Sequence, residues 1–257
     1  MSSTNKPKIL IFDIETSPNI AYCWRAGYKL SITPDNIVEE RQIICIGYKW
    51  LGEAKTYCIK WDYSKGLKRD RQLLIDFLKV IENADEVVAH NGKAFDKKWI
   101  QGRLLYHGLS PLPKVKILDT LLEFRSQFNL NSKKLGYITE FIGVQGKMST
   151  GGFQLWKDVM AGKVKALTTM VKYCKQDVTI LESVYEQAKP FLPNTLNLSL
   201  FNRDSKICPS CGSSRIRGNG YYYTEVGKKQ RFRCTPCGAS FTTGKSLITK
   251  ANILNRK

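Results

Sequence analysis

Asp13 and Glu15 stand one residue apart at the end of an apolar run, Ile9-Leu10-Ile11-Phe12. A run of this kind suits a buried strand. Side chains alternate along a strand, so the two carboxylates project from one face. Burying them side by side is costly, because they repel and lose hydration. A hard divalent cation between them, Mg²⁺ or Mn²⁺, removes that cost. The alternative is a strand that runs out into water with both acids solvated. Two more acids stand where they could join. Asp96 follows His90-Asn91-Gly92 in the first turn of an expected helix, where the helix dipole alone would favour it. Asp177 lies four residues after Tyr173 on a long expected helix, so the two share a face. That face either borders a cleft or is the plain edge of an amphipathic helix. Asp119, just before Thr120-Leu121-Leu122-Glu123, is placed as a helix N-cap rather than a metal ligand.

A second set of ligands is made of sulfur. Cys208, Cys211, Cys234 and Cys237 form two Cys-x-x-Cys pairs, each followed by glycine. Four thiolates suit tetrahedral Zn²⁺ in a closed and therefore structural site. Gly212 and Gly238 can take the positive φ that such a turn needs. The spacing between the pairs predicts a hairpin, with strands at Tyr221 to Glu225 and Gln230 to Cys234 and Gly227 at the turn. So short a region needs a metal staple to fold. Arg215, Arg217, Lys228, Lys229, Arg231 and Arg233 surround Tyr221, Tyr222, Tyr223 and Phe232. Cations with aromatics can contact phosphates and stack on bases; a protein-docking or purely structural ribbon is the other reading.

These groups need a scaffold, and the pattern of elements supplies one. Strands are expected at Lys8 to Thr16, Gln42 to Trp50, Lys55 to Trp61, Glu86 to Ala89 and Val115 to Leu118. Helices are expected at Arg71 to Ile81, Phe95 to Tyr106, Lys133 to Ile142 and Val164 to Ala188, with a glycine-rich loop from Gly143 to Gly152. Gly102 would let its helix approach the sheet closely, and His107 reads as ordinary surface. His90 reads as a structural hydrogen-bonding group. Strands first, then strands alternating with helices, predict an α/β domain with a mixed sheet flanked by helices. That domain spans 1–190, a linker 191–205, and a basic ribbon 206–257.

Composition narrows the partners. Lys and Arg number 41 against 22 acids, a formal charge of +19, which favours a polyanion, with nucleic acid ahead of a membrane surface. No apolar run reaches the length of a membrane span, and no signal core opens the chain. The remaining cysteines, Cys23, Cys45, Cys58 and Cys174, are scattered, so a reducing, cytoplasmic setting fits better than a disulfide framework. A secreted protein is not expected.

Phe-Asp-Ile-Glu-Thr at 12–16, Asn-x-x-x-Phe-Asp at 91–96 and Tyr-Cys-x-Gln-Asp at 173–177, in that order, resemble the three exonuclease motifs of the DEDD superfamily. A tyrosine four residues before the last acid marks the DEDDy type, and the wording is most similar to the proofreading domain of family B DNA polymerases. The resemblance implies an RNase H-like fold and a two-metal 3′→5′ exonuclease acting on DNA with a free 3′ end. It implies Asp13, Glu15, Asp96 and Asp177 as ligands of two Mg²⁺ or Mn²⁺ ions and Tyr173 beside the attacking water. Thr16, Asn91 and Phe95 would touch the 3′ end; separately, the cations and aromatics of the cysteine tail make Arg231 and Arg233 the candidate nucleic-acid contacts there. The cysteine tail resembles the zinc ribbons linked to insertion-sequence transposases, and a replication or repair protein docked there is the second partner expected. An exoribonuclease or structure-selective endonuclease on the same fold, and an inactive nucleic-acid-binding adaptor, are the rival functions.

Overall fold

The computed structural model describes residues 6–25, 27, 30–144, 151–202, 206–225 and 227–247. Most of the glycine-rich loop expected at 143–152 lies outside them. Lys8–Val184 form one compact unit; the described residues from Tyr185 onward, with Lys6 and Pro7, form the other. Among the described residues no helix is long and apolar enough to cross a membrane.

The first unit is built on β1 (Ile9–Thr16), which lies at the centre of a five-stranded sheet. After a short pair, β2 (Ile20–Ala21) and β3 (Ile37–Glu39), the chain returns as β4 (Ile43–Trp50) and β5 (Tyr57–Lys60). β6 (Glu86–Ala89) and β7 (Lys116–Asp119) complete the order β5-β4-β1-β6-β7. β4 runs antiparallel to β1 and β5, whereas β6 runs parallel to β1 and β7. The sheet is therefore mixed, as its alternating elements imply. Ile9 to Phe12 are all buried, the reason the apolar run is continuous rather than alternating.

Among the described residues six helices accompany the sheet: α1 (Arg71–Ile81), α2 (Asp96–Tyr106), α3 (Thr120–Gln127), α4 (Leu135–Phe141), α5 (Gln154–Met160) and α6 (Val164–Ala188). Leu10, Phe12 and Ile14 of β1 pack with Leu73, Leu74 and Phe77 of α1 and Ile100 and Leu104 of α2. Alternation turns Asp13 and Glu15 to the opposite face. There Cys45 and Trp61 pack with Leu155 and Val159 of α5 and Met170, Tyr173 and Cys174 of α6.

Two expectations fail at α2. A Cβ on Gly102 would meet nothing within 4 Å, so that glycine mediates no close approach. The helix is anchored instead by Arg103, whose guanidinium donates to Asp70 at 2.7 and 2.9 Å. His107 is not surface: its side chain is 1% exposed and its Nε2 lies 2.6 Å from Asp70 Oδ1. The Ile43 amide also donates to Asp70. Burial opposes the charge on Asp70, yet Arg103 and His107 hold its carboxyl below the ordinary value.

The second unit carries a three-stranded antiparallel sheet of β8 (Ile216–Thr224), β9 (Gly227–Cys234) and β10 (Ser240–Thr242). The hairpin is longer than its pattern suggests. Gly227 opens β9 rather than forming the turn, and a Cβ there would meet Ser246 Oγ at 2.6 Å. Within the stretch read as a linker, Leu198–Phe201 forms a 3-10 turn, and the Leu198 amide bonds to the Pro209 carbonyl.

Candidate active site

Asp13, Glu15 and Asp177 offer carboxylate oxygens that all lie within 4.8 Å of one another. Two come from one face of β1 and the third from α6, which closes on that face because Gly47 stands opposite Asp13 in the β1–β4 ladder. A Cβ on Gly47 would meet Cys174 Sγ at 2.9 Å and the Cys174 carbonyl at 3.0 Å. The Gly47 amide instead donates to Cys174 Sγ at 3.1 Å, and that thiol donates to the Asp13 carbonyl at 3.6 Å. Three carboxylates so close are hard oxygen donors of the kind that hold Mg²⁺ or Mn²⁺. The donor set thus fits divalent cations.

Tyr173 joins this group. Burial pushes its hydroxyl up from the ordinary value, and the charges of Asp177 and Glu15 and a hydrogen bond to Asp177 push it further. It holds its proton at any ordinary pH. The Trp156 indole of α5 donates to the Thr16 carbonyl at 3.1 Å, where the ladder bulges between Glu15 and Thr16.

Asp96 is not in the closest carboxylate group. It is 2% exposed in the first turn of α2, and the Ile14 amide donates to its Oδ1 at 3.2 Å. β1 pairs with β6 only as far as Ile11, so this carboxylate takes up an amide beyond the end of that ladder. Burial raises Asp96 to about 7, against hydrogen bonds from its own amide and that of Ile14, and the charge of Asp119 adds to the rise. Asp119 caps α3, accepting from Leu121 and Leu122, and also accepts from the Asn91 and Lys93 amides at 2.9 Å each. That acid therefore fixes the turn leading to Asp96. Asn91 sits in it at φ 67°, a left-handed conformation that Asn tolerates better than most residues. His90 is engaged at both ring nitrogens, by Thr120 Oγ1 and the Lys133 carbonyl.

A cleft of ≈ 720 Å³ is lined by Asp13, Asp177, His90 and Asn91, and also by Arg125 of α3 and by Lys133, Lys134 and Tyr137 at α4. Thr16 and Phe95 are not among its lining residues. Phe95 packs edge-on against Trp99, 6.3 Å between ring centroids. The basic residues of the cleft were missed by the motif reading. Lys133-Lys134 next to an aromatic one turn later is a signal, but nothing in the sequence says that α4 faces β1.

In the second unit all four ribbon thiols cluster. Cys208 and Cys237 sulfurs lie 3.7 Å apart and those of Cys211 and Cys234 3.6 Å apart. Metal–sulfur bonds of about 2.3 Å in a tetrahedron require sulfurs about 3.8 Å apart, so the set fits zinc. Gly212 and Gly238 have φ of 76° and 74°. Arg231 donates to the Asn219 carbonyl at 2.7 Å, whereas Arg233 is exposed and pairs across the ladder with Arg217. Lys228 Nζ lies 3.9 Å from the Tyr221 ring centroid and 5.6 Å from that of Tyr223.

A family model described as the RNase_H superfamily matches residues 37–189. No curated protein matches the chain. Among solved structures, the family B DNA polymerase from the hyperthermophilic archaeon Pyrobaculum calidifontis aligns with a TM-score of 0.54 at 16% identity. The alignment covers 72% of this chain and 25% of the polymerase, so the chain spans about a quarter of that protein's length. At this identity the likeness is one of fold.

Proposed function

The chain belongs to the RNase H superfamily, and from that we propose that it is a metal-dependent 3′→5′ exonuclease of the DEDDy type acting on DNA. The observation that carries this reading is the meeting of Asp13, Glu15 and Asp177 at a cleft that Asp13 and Asp177 line together with Arg125, Lys133 and Lys134. Acids that gather cations beside bases that attract phosphates suit a phosphodiester. The motif order and the fold shared with a DNA polymerase favour DNA as substrate. We assign the nuclease to residues 1–190 and a zinc-stabilised, nucleic-acid-binding ribbon to 206–257, joined by 191–205.

Asp13, Glu15 and Asp177, with Asp96 at the edge, would hold two Mg²⁺ or Mn²⁺ ions. When bound, such ions stabilise charge on both the attacking and the leaving oxygen of an in-line displacement. Tyr173 keeps its proton, so its hydroxyl orients the attacking water rather than deprotonating it. Arg125, Lys133 and Lys134 hold the strand by its phosphates, and Tyr137 offers a ring for a base. Asn91 presents its amide to the terminal nucleotide. Cys208, Cys211, Cys234 and Cys237 would hold one structural Zn²⁺.

The test uses 5′-labelled single-stranded DNA and RNA with Mg²⁺ or Mn²⁺. The expected product is a ladder shortening by single nucleotides, faster on DNA and abolished by EDTA. Cuts within a circular strand would assign an endonuclease, faster trimming of RNA an exoribonuclease, and binding without cleavage an adaptor.

A further inference from the structure

Cys45, Cys58 and Cys174 hold no cation in the nuclease reading, yet their sulfurs all lie within 4.8 Å of one another. Strand register explains how. Asp13, Gly47 and Cys58 form one row across β1, β4 and β5, and Glu15, Cys45 and Lys60 form the next. All six therefore share the sheet face that α6 covers, and α6 brings Cys174 onto Gly47. The thiols and the carboxylates occupy adjacent columns of one face.

We propose that Cys45, Cys58 and Cys174 form a binding site for a thiophilic monovalent cation such as Cu(I). Soft thiolates select such ions, and three sulfurs supply a trigonal ligand set. Metal–sulfur bonds near 2.3 Å need sulfurs roughly 4 Å apart, within reach of the present spacing. Between Cys45 and Cys58 a disulfide fits less well. Cys45 and Cys58 are diagonal neighbours in the ladder, a relation with Cα atoms about 7–8 Å apart, beyond ordinary disulfide reach without backbone movement. Cys45 and Cys174 are buried, and Cys58 is partly exposed, giving the ion an entry. Hydrogen bonds from Cys174 and Cys45 favour the Cys58 thiolate against the effect of burial, with the charges of Lys175 and Lys60 in support, whereas Cys45 and Cys174 are held well above the ordinary thiol value and give up their protons only to the ion. These ammonium groups also offset the negative charge of the loaded site. Binding exchanges thiol protons for the ion and needs no redox step. The loaded ion would tie β4, β5 and α6 together beside Asp13.

The experiment uses the full chain with its ribbon loaded with zinc and Mg²⁺ in excess, so that hard-ligand sites are occupied. One equivalent of Cu(I) is added under anaerobic conditions, and alkylation of Cys58 by N-ethylmaleimide is followed by peptide mass spectrometry. The expected result is at least a tenfold slowing at Cys58, one copper per chain, and no zinc release. Cys58→Ser should bind no copper at this step while keeping its zinc and its circular dichroism. An unchanged alkylation rate at Cys58 would overturn the site, as would copper uptake matched by zinc release from the ribbon. The wild-type measurement decides the matter even if the variant fails to fold.

Discussion

Gly47 lies directly opposite Asp13, and the space above it is filled by Cys174, whose sulfur would stand 2.9 Å from any Cβ at position 47. The absence of a side chain on β4 is thus what lets α6 deliver Asp177 to the acids of β1. Gly47→Ala should push α6 outward. Overpacking of this kind costs about 1–3 kcal/mol, and a displacement near 1 Å at reacting groups costs about 10²-fold in rate. Denaturant melts together with nuclease rates check this; full activity in a destabilised variant would show that α6 need not sit so close.

Asp13 carries repulsion that a cation must relieve. Asp13→Asn should lower the cleavage rate by at least about 10²-fold, the scale of removing one electrostatic stabiliser of a transition state. Without divalent ions the same change should raise stability by about 1 kcal/mol, because one of three crowded charges is gone. Thermal melts in EDTA and in Mg²⁺ read the two signs. A variant destabilised in EDTA would contradict the charge argument.

Asp96 predicts an unusual pH dependence. Its folded-state value of about 7 lies above the ordinary 3.8, so the folded chain keeps a proton that the unfolded chain has lost. The stabilisation is complete below about pH 4 and disappears as pH rises through 7. The metal-free chain should therefore melt at a lower temperature at pH 7.5 than at pH 5, and Asp96→Asn should flatten that slope. An identical slope in the variant would remove Asp96 as its source. Protons should also compete with Mg²⁺ below pH 7, raising the ion concentration needed for half-maximal activity.

Arg217 and Arg233 face each other across the ribbon ladder, both exposed. Like charges opposed in this way are destabilising, and a polyanion between them would relieve the strain. Replacing both by Ala should weaken DNA binding and reduce the slope of log affinity against log salt by about 1.4 to 1.8, near 0.7 to 0.9 per lost phosphate contact. Fluorescence anisotropy over a salt series measures it. An unchanged slope would make this face a protein-docking surface.

Tyr173 should behave as an orienting group. Tyr173→Phe should lower the rate by roughly tenfold to a hundredfold without changing the Mg²⁺ requirement. Because its hydroxyl is pushed up from the ordinary value, the wild-type rate should show no loss near pH 10 from its ionisation. An inflection that vanishes in the Phe variant would assign Tyr173 as a titrating base instead.

The sequence by itself determined the local elements and the donor chemistry. The apolar run before Asp13, the spacing of Tyr173 and Asp177 on one helix, and the paired cysteine knuckles are all short-range patterns, and α1 and α6 begin and end where their periodicity says. What tertiary structure decided lies in contacts between residues far apart along the chain. Register set Gly47 against Asp13 and brought Cys45, Cys58 and Cys174 together. Packing buried His107 on Asp70, moved Asp96 to the edge of the carboxylate group, and turned Arg125, Lys133 and Lys134 toward it. Periodicity records which face of an element is apolar; which other element covers that face is decided only when all of them compete to exclude water.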